Sequence, residues 1–232
     1  NPDLTLYHPD FRLHKLMIDP IMRPQAQHQV KRIGQADLVI GIPTYRNATT
    51  VGMVIQAALD GVVANFGHLR VALINADAAR YDGTRQAIAD ATAATDIPVV
   101  VGGYTGRLGR GSAVRAILQA ALDLKAQAVM LLDAHTTSIT SNWIPALANP
   151  ILERQADMIL PRYRWPLPDG GLSDLIFYPL TRALWGRSLR QPGSGDCSLS
   201  PTLAKMVIEQ DVWGTEVTAY GFEVWLSNLI LS

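Results

Sequence analysis

Residues 126–137 read AQAVMLLDAHTT, and this stretch decides the fold. A short apolar run, 128–132, stops at Asp133-Ala134-His135. Such a run, bounded by polar residues, suits a strand buried on both faces, as in a parallel sheet. Its polar end then projects past the carboxyl edge of the sheet, where open α/β folds bind ligands. Asp133 and His135 together offer a carboxylate oxygen and an imidazole nitrogen, enough to hold a divalent cation that in turn holds a diphosphate. The plainer reading is a turn capped by Asp133, with His135 in a solvated loop.

Upstream, strand and helix patterns alternate. Residues 37–42 (DLVIGI) form the first strand and run into a polar loop, PTYRN at 43–47, ahead of a helix at 50–65. A strand at 70–75 ends near Asp77, and the Asp82-Gly83 turn precedes a helix at 85–94. A third strand at 97–101 leads into the glycine-rich run 102–111, GGYTGRLGRG, and a helix at 112–124 with Ser112 as its N-cap. Glycines and arginines before a helix N-terminus suit an anion, because free N–H groups and the dipole point at it. The alternation predicts an α/β fold with a mostly parallel, doubly wound sheet and helices on both faces.

Downstream, helices are expected at 142–154, 174–185, 202–210 and 220–231, with short extended pieces at 158–161 and 212–218 and a polar loop at 186–200. Residues 1–35 read as an irregular lead-in with a helix at 25–33. The chain has 232 residues, 48% hydrophobic and 17% charged, which is enough to bury a sizeable core. Its 20 basic and 20 acidic residues cancel, which disfavours a nucleic-acid binder acting through bulk charge. The one cysteine, Cys197, precludes an intramolecular disulfide and fits a reducing, cytoplasmic setting. No apolar run reaches the ~18 residues of a membrane span. The apolar, uncapped residues 222–231 suggest that the natural chain continues past Ser232.

Two chemistries compete for these motifs. In the first, the glycine run, with Asp133 about 20 residues on, resembles a dinucleotide fingerprint and suggests an NAD-dependent oxidoreductase. Its spacing, Gly106-x-x-Gly109-x-Gly111, reverses the required order, and the unit is third in the chain rather than first. In the second, the polar clusters closing the first, second and fourth strands converge on one sheet edge. Asp77 there meets a base or ribose, Arg110 a phosphate, and Asp133 with His135 the metal.

The second reading leads to a family. VIGIPTYRN, NADAARYDGT, GRGSAV and LLDAH, in this order and spacing, resemble the motifs of GT-A glycosyltransferases of family 2 and of the related glucosyl-phosphoglycerate and mannosylglycerate synthases. DGGLSDLIFYPLTRALWG, GSGDCSLS and WGTEVTAYGFEVWL resemble their acceptor-side segments. The resemblance implies one glycosyltransferase domain over residues 1–232, with a nucleotide-sugar half at 36–140 and an acceptor half at 141–232. It implies a donor pocket of Pro43, Tyr45, Asn47, Asp77 and Arg110. Asp133 binds donor and metal, with His135 as a second metal ligand where the family has aspartate. Glu223 and Asp196 are the further candidate catalytic acids, and Gly170, Gly171 and Ser173 line the acceptor side. The implied activity is metal-dependent transfer of a hexose from a UDP- or GDP-sugar to a small or lipid-linked hydroxyl, with Mn2+ or Mg2+. The imidazole favours manganese. The resemblance allows a homodimer, and it allows a catalytically degenerate nucleotide-sugar binder.

Overall fold

The computed structural model describes residues 21–78, 81–163, 171 and 173–232. The elements run in the order α1 (Pro24–Ile33), β1 (Leu38–Thr44), α2 (Val51–Asn65), β2 (Val71–Asp77), α3 (Thr84–Thr92), β3 (Val99–Gly102), α4 (Arg110–Asp123) and β4 (Ala128–Leu131). They continue through α5 (Trp143–Leu152), β5 (Met158–Ile159), a π-helical turn (Ser173–Phe177), α6 (Tyr178–Trp185), β6 (Cys197–Leu199), α7 (Pro201–Ile208), a 3-10 turn (Glu216–Thr218) and α8 (Phe222–Leu231).

The strands form one sheet in the order β3-β2-β1-β4-β6-β5. The first four are parallel, and β6 runs antiparallel to both β4 and β5. Alternation of side chains sends Val39, Ala72, Ile74, Val129 and Leu131 to a layer built with α1, α4, α7 and α8. Leu38, Ile40, Ile42, Leu73 and Met130 point to the layer with α2, α3 and α5. Both faces of the parallel strands are therefore covered, which is why these strands read as continuous apolar runs.

Register fixes where the strands end. Thr44 of β1 pairs with Asp77 of β2, and Gly41 with Leu131 of β4. The chain goes from β1 to β2 on one side, then returns to place β4 on the other side of β1. The crevice between the carboxyl ends of β1 and β4 is thus the switch point of the sheet, where such folds bind ligands.

Three expectations are corrected. Ser112 does not cap α4: the helix begins two residues earlier, and Ser112 is buried inside it. The segment 212–218 is not extended but forms turns and a 3-10 turn, with the Thr215 hydroxyl accepting the Val217 N–H. Residues 186–200 are not all loop, because Cys197–Leu199 forms β6. Among the described residues, no helix is long and apolar enough to cross a membrane.

Candidate active site

Asp133 follows β4 by two residues, and its position is fixed by Asp196. Leu131 pairs with Cys197 in antiparallel register, so the residue just before β6 lies beside the one just after β4. The Asp133 N–H donates to Asp196 Oδ1 at 2.7 Å, and the Thr136 hydroxyl donates to Asp196 Oδ2 at 3.0 Å. The Tyr163 hydroxyl donates to the same Oδ2. Asp196 has no exposed surface, and burial raises its pKa against the opposing effect of these donors. A buried carboxylate persists only when its lone pairs are met. Asp196, expected among the catalytic acids, therefore holds the Asp133 turn in place. Asp133 Oδ1 in turn accepts the His135 N–H at 2.8 Å and lies 3.2 Å from His135 Nδ1.

Arg110, the first residue of α4, lies against this turn. Its Nε pairs with Glu223 Oε1, one of its terminal nitrogens lies 3.3 Å from Asp133 Oδ2, and the other donates to the Gly195 carbonyl at 2.7 Å. Burial opposes its charge, but the carboxylates of Glu223 and Asp133 outweigh that and raise its pKa. Gly195 permits this packing, since a Cβ there would lie 2.5 Å from Asp133 Oδ2 and 2.9 Å from the Arg110 guanidinium.

The anion site expected at the α4 N-terminus is not formed by the backbone. The N–H groups of Arg110 and Gly111 point at the Ala219 carbonyl, at 3.1 and 3.4 Å. Gly109 and Gly111 pack so closely on residues 217–219 that a Cβ at either would strike main chain. The glycine run thus serves to seat the segment before α8 rather than to form a dinucleotide loop. Arg107 pairs with Glu216 on the surface at 2.8 and 3.0 Å, which leaves Arg110 as the arginine beside Asp133.

Two clefts meet at Asp133 and His135. The smaller, about 390 Å3, has Pro43, Tyr45 and Asn47 on one side, Tyr104 and Arg110 on the other, and exposed Tyr220 at its rim. Its size falls in the ~300–1,000 Å3 range of small-molecule pockets. The Asn47 amide nitrogen lies 3.0 Å from His135 Nε2, and the Asn47 N–H donates to the Thr84 hydroxyl at 2.9 Å. Asp77 does not line this cleft. Its carboxylate accepts the Thr44 hydroxyl and the Arg85 guanidinium, each at 3.0 Å, and it buttresses the wall from behind.

The larger cleft, about 1020 Å3, runs the other way past Trp143, Leu147, Leu160, Tyr163, Ser194 and Gly195. Glu223 lines neither cleft directly and acts on Arg110. Of the expected acceptor residues, Gly170 lies outside the described residues. Gly171 is not among those lining the cleft, and the side chain of Ser173 is likewise not among those described. Tyr163, Gly195, Tyr104 and Tyr220 were not anticipated. Gly195 and Tyr220 lie inside motifs that were singled out for a neighbouring acid, whereas Tyr163 carries no local signal at all.

Comparison with protein-family models and with curated proteins finds no match for this sequence. Solved structures do match. Glucosyl-3-phosphoglycerate synthase from Mycobacterium tuberculosis, in complex with Mn2+, UDP-glucose and phosphoglyceric acid, superposes on 88% of this chain and 69% of its own, with a TM-score of 0.63 and 21% identity. The same enzyme with Mg2+ and UDP covers 88% and 69%, at a TM-score of 0.62 and 22% identity. This chain has the GT-A fold. In that fold, the β1/β4 crevice described above is the place where the two clefts and the Asp133 turn come together.

Proposed function

We propose that the chain is a metal-dependent glycosyltransferase that moves a hexose from a UDP- or GDP-sugar to a hydroxyl acceptor. The observation that carries this reading is the position of Asp133 and His135, on the shared wall of two clefts at the switch point, with Arg110 held against them. The structural neighbours, crystallised with UDP or UDP-glucose and Mn2+ or Mg2+, share this fold. On this reading residues 36–140 supply the donor pocket, through Pro43, Tyr45, Asn47 and Arg110, and residues 141–232 supply the acceptor side.

Among the described residues no three His, Cys, Asp or Glu side chains form a metal cluster. Asp133 and His135 supply two donors, which fits an ion whose remaining positions are filled by substrate phosphates and water. Such an ion, when bound, neutralises charge on the leaving diphosphate. Arg110 stabilises the same developing charge, and Glu223 fixes the guanidinium that does so. Asp196 orients the Asp133 turn. Both acids thus act by positioning.

A second reading, a nucleotide-sugar binder without turnover, draws on one observation: both Asp133 oxygens already have partners, His135 on one and Arg110 on the other. Release of UDP from UDP-glucose with Mn2+ separates the two. The transferase reading predicts slow hydrolysis that falls about a hundredfold in Asp133→Asn, with the fold retained. Unchanged turnover in that variant would contradict the site assignment, and binding without any turnover would favour the second reading.

A further inference from the structure

The larger cleft has a chemical character of its own, whose use as an acceptor site rests on the transferase reading. We propose that it holds an acceptor whose hydroxyl is carried on an uncharged apolar body, such as an alkyl alcohol. The apolar part of the wall is formed by Trp143, Ala146 and Leu147 of α5 and by Ile159, Leu160 and Pro161, with Thr137, Ser138, Asn142 and Arg162 along the same cleft. The Trp143 and Tyr163 rings lie 5.7 Å apart and add a broad aromatic surface.

The polar side chains at the inner end of this cleft, Thr136, Tyr163, Gln191 and Ser194, are engaged within the protein. Gln191 accepts the Tyr163 N–H at 2.7 Å and donates to the Tyr163 carbonyl at 3.1 Å. The Ser194 hydroxyl donates to the Asp196 carbonyl at 2.8 Å, and the hydroxyls of Thr136 and Tyr163 are held by the Asp196 carboxylate. A sugar acceptor would have to compete with these bonds, whereas an apolar body gains by covering the wall.

Charge points the same way. Among the described lining residues Arg162 is the one lysine or arginine, and the nearby guanidinium of Arg110 is already taken by Asp133 and Glu223. That balance does not favour a compact anionic acceptor. A Cβ at Gly193, on the cleft, would lie 3.4 Å from the Phe177 ring, so the π-helical turn passes near it. Leu175, Leu180 and Leu184 of that turn and of α6 are 78%, 54% and 64% exposed.

Calorimetric titration of the full chain, without donor, tests this with 1-O-hexyl-, octyl- and decylglycerol below their micelle concentrations. Glycerol, methyl glucoside and 3-phosphoglycerate serve as comparators. The proposal predicts one saturable site whose Kd tightens by about two- to fourfold per methylene. It also predicts that this trend disappears in Ala146→Glu and weakens in Leu160→Ser, while stabilisation by UDP and Mn2+ is retained. Absence of a chain-length trend, or tighter binding of methyl glucoside or 3-phosphoglycerate than of octylglycerol, would overturn it. If UDP fails to stabilise the protein while the alkyl trend holds, the transferase reading fails and the apolar site stands. Flotation with phosphatidylglycerol vesicles carrying decylglycerol distinguishes a bilayer-held alcohol from a free one, and either source satisfies the proposal.

Discussion

At the scale of single residues, the site depends on how tightly Asp133 is placed. Its N–H is held by Asp196, one oxygen by His135, the other by Arg110, and the space beside it by the missing side chain of Gly195. Crowding such a packed point costs about 1–3 kcal/mol and moves whatever can yield. Here the Asp133 carboxylate and the Arg110 guanidinium must yield, since Gly195 is continuous with β6. Gly195→Ala is therefore expected to leave the circular dichroism spectrum unchanged and to weaken UDP–Mn2+ binding at least tenfold by calorimetry. Wild-type affinity in this variant would show that the Asp133–Arg110 geometry is not used for the donor. The sequence alone pointed to Asp133, His135 and Arg110, because each stands at the end of an apolar run or at a helix start. It could not reveal that Asp77 faces Thr44 and Arg85, because a carboxylate after a strand looks the same whether it points into a cleft or into the wall behind it.

At the scale of elements, the strands were legible where they are long and apolar and unreadable where tertiary context makes them. β1, β2 and β4 announce themselves as buried runs. β6 is three residues, Cys-Ser-Leu, in a polar stretch, and becomes a strand only because β4 and β5 flank it. The start of α4 was misplaced for a similar reason: Ser112 looks like a cap, but the capping oxygen is Ala219, over a hundred residues away.

At the opposite end of the sheet from the site, Asp37 ties the beginnings of three strands. Its carboxylate accepts from Arg70 before β2, at 2.9 and 3.0 Å to one oxygen and 2.6 Å to the other, and from Gln127 before β4 at 3.0 Å. The hydrogen bonds from Arg70 hold its pKa well below the usual carboxylate range. A depressed folded pKa means that this stabilisation is complete above the unfolded value of ~3.9 and is lost as pH falls below it toward the folded value. Asp37→Asn should thus lower Tm at pH 7, and the gap from wild type should narrow below about pH 4. A gap that is constant from pH 7 to pH 3 would mean that the carboxylate charge contributes nothing.

At the scale of the whole molecule, the parallel half of the sheet delivers the ends of β1 and β4 to one crevice, and the antiparallel β6 delivers Asp196 and Gly195 to the same place. The fold class followed from the alternation of strand and helix patterns. The convergence of the second half on the first did not, because Tyr163 reaches Asp196, and Gly195 and Glu223 reach Arg110, through long-range packing that no local pattern encodes. On the proposed function, the smaller cleft is a nucleoside-diphosphate site completed by a metal at Asp133 and His135. The most direct test is thermal stabilisation of the full chain by UDP, GDP and NAD, each with and without Mn2+. Ligand at a hundred times its Kd adds about 2.7 kcal/mol, which for a chain of this size raises Tm by roughly 5–10 °C. A metal-completed diphosphate site gives such a shift with UDP or GDP that requires Mn2+ and is lost in Asp133→Asn. A shift from NAD alone, or none from either diphosphate with the metal present, would contradict it.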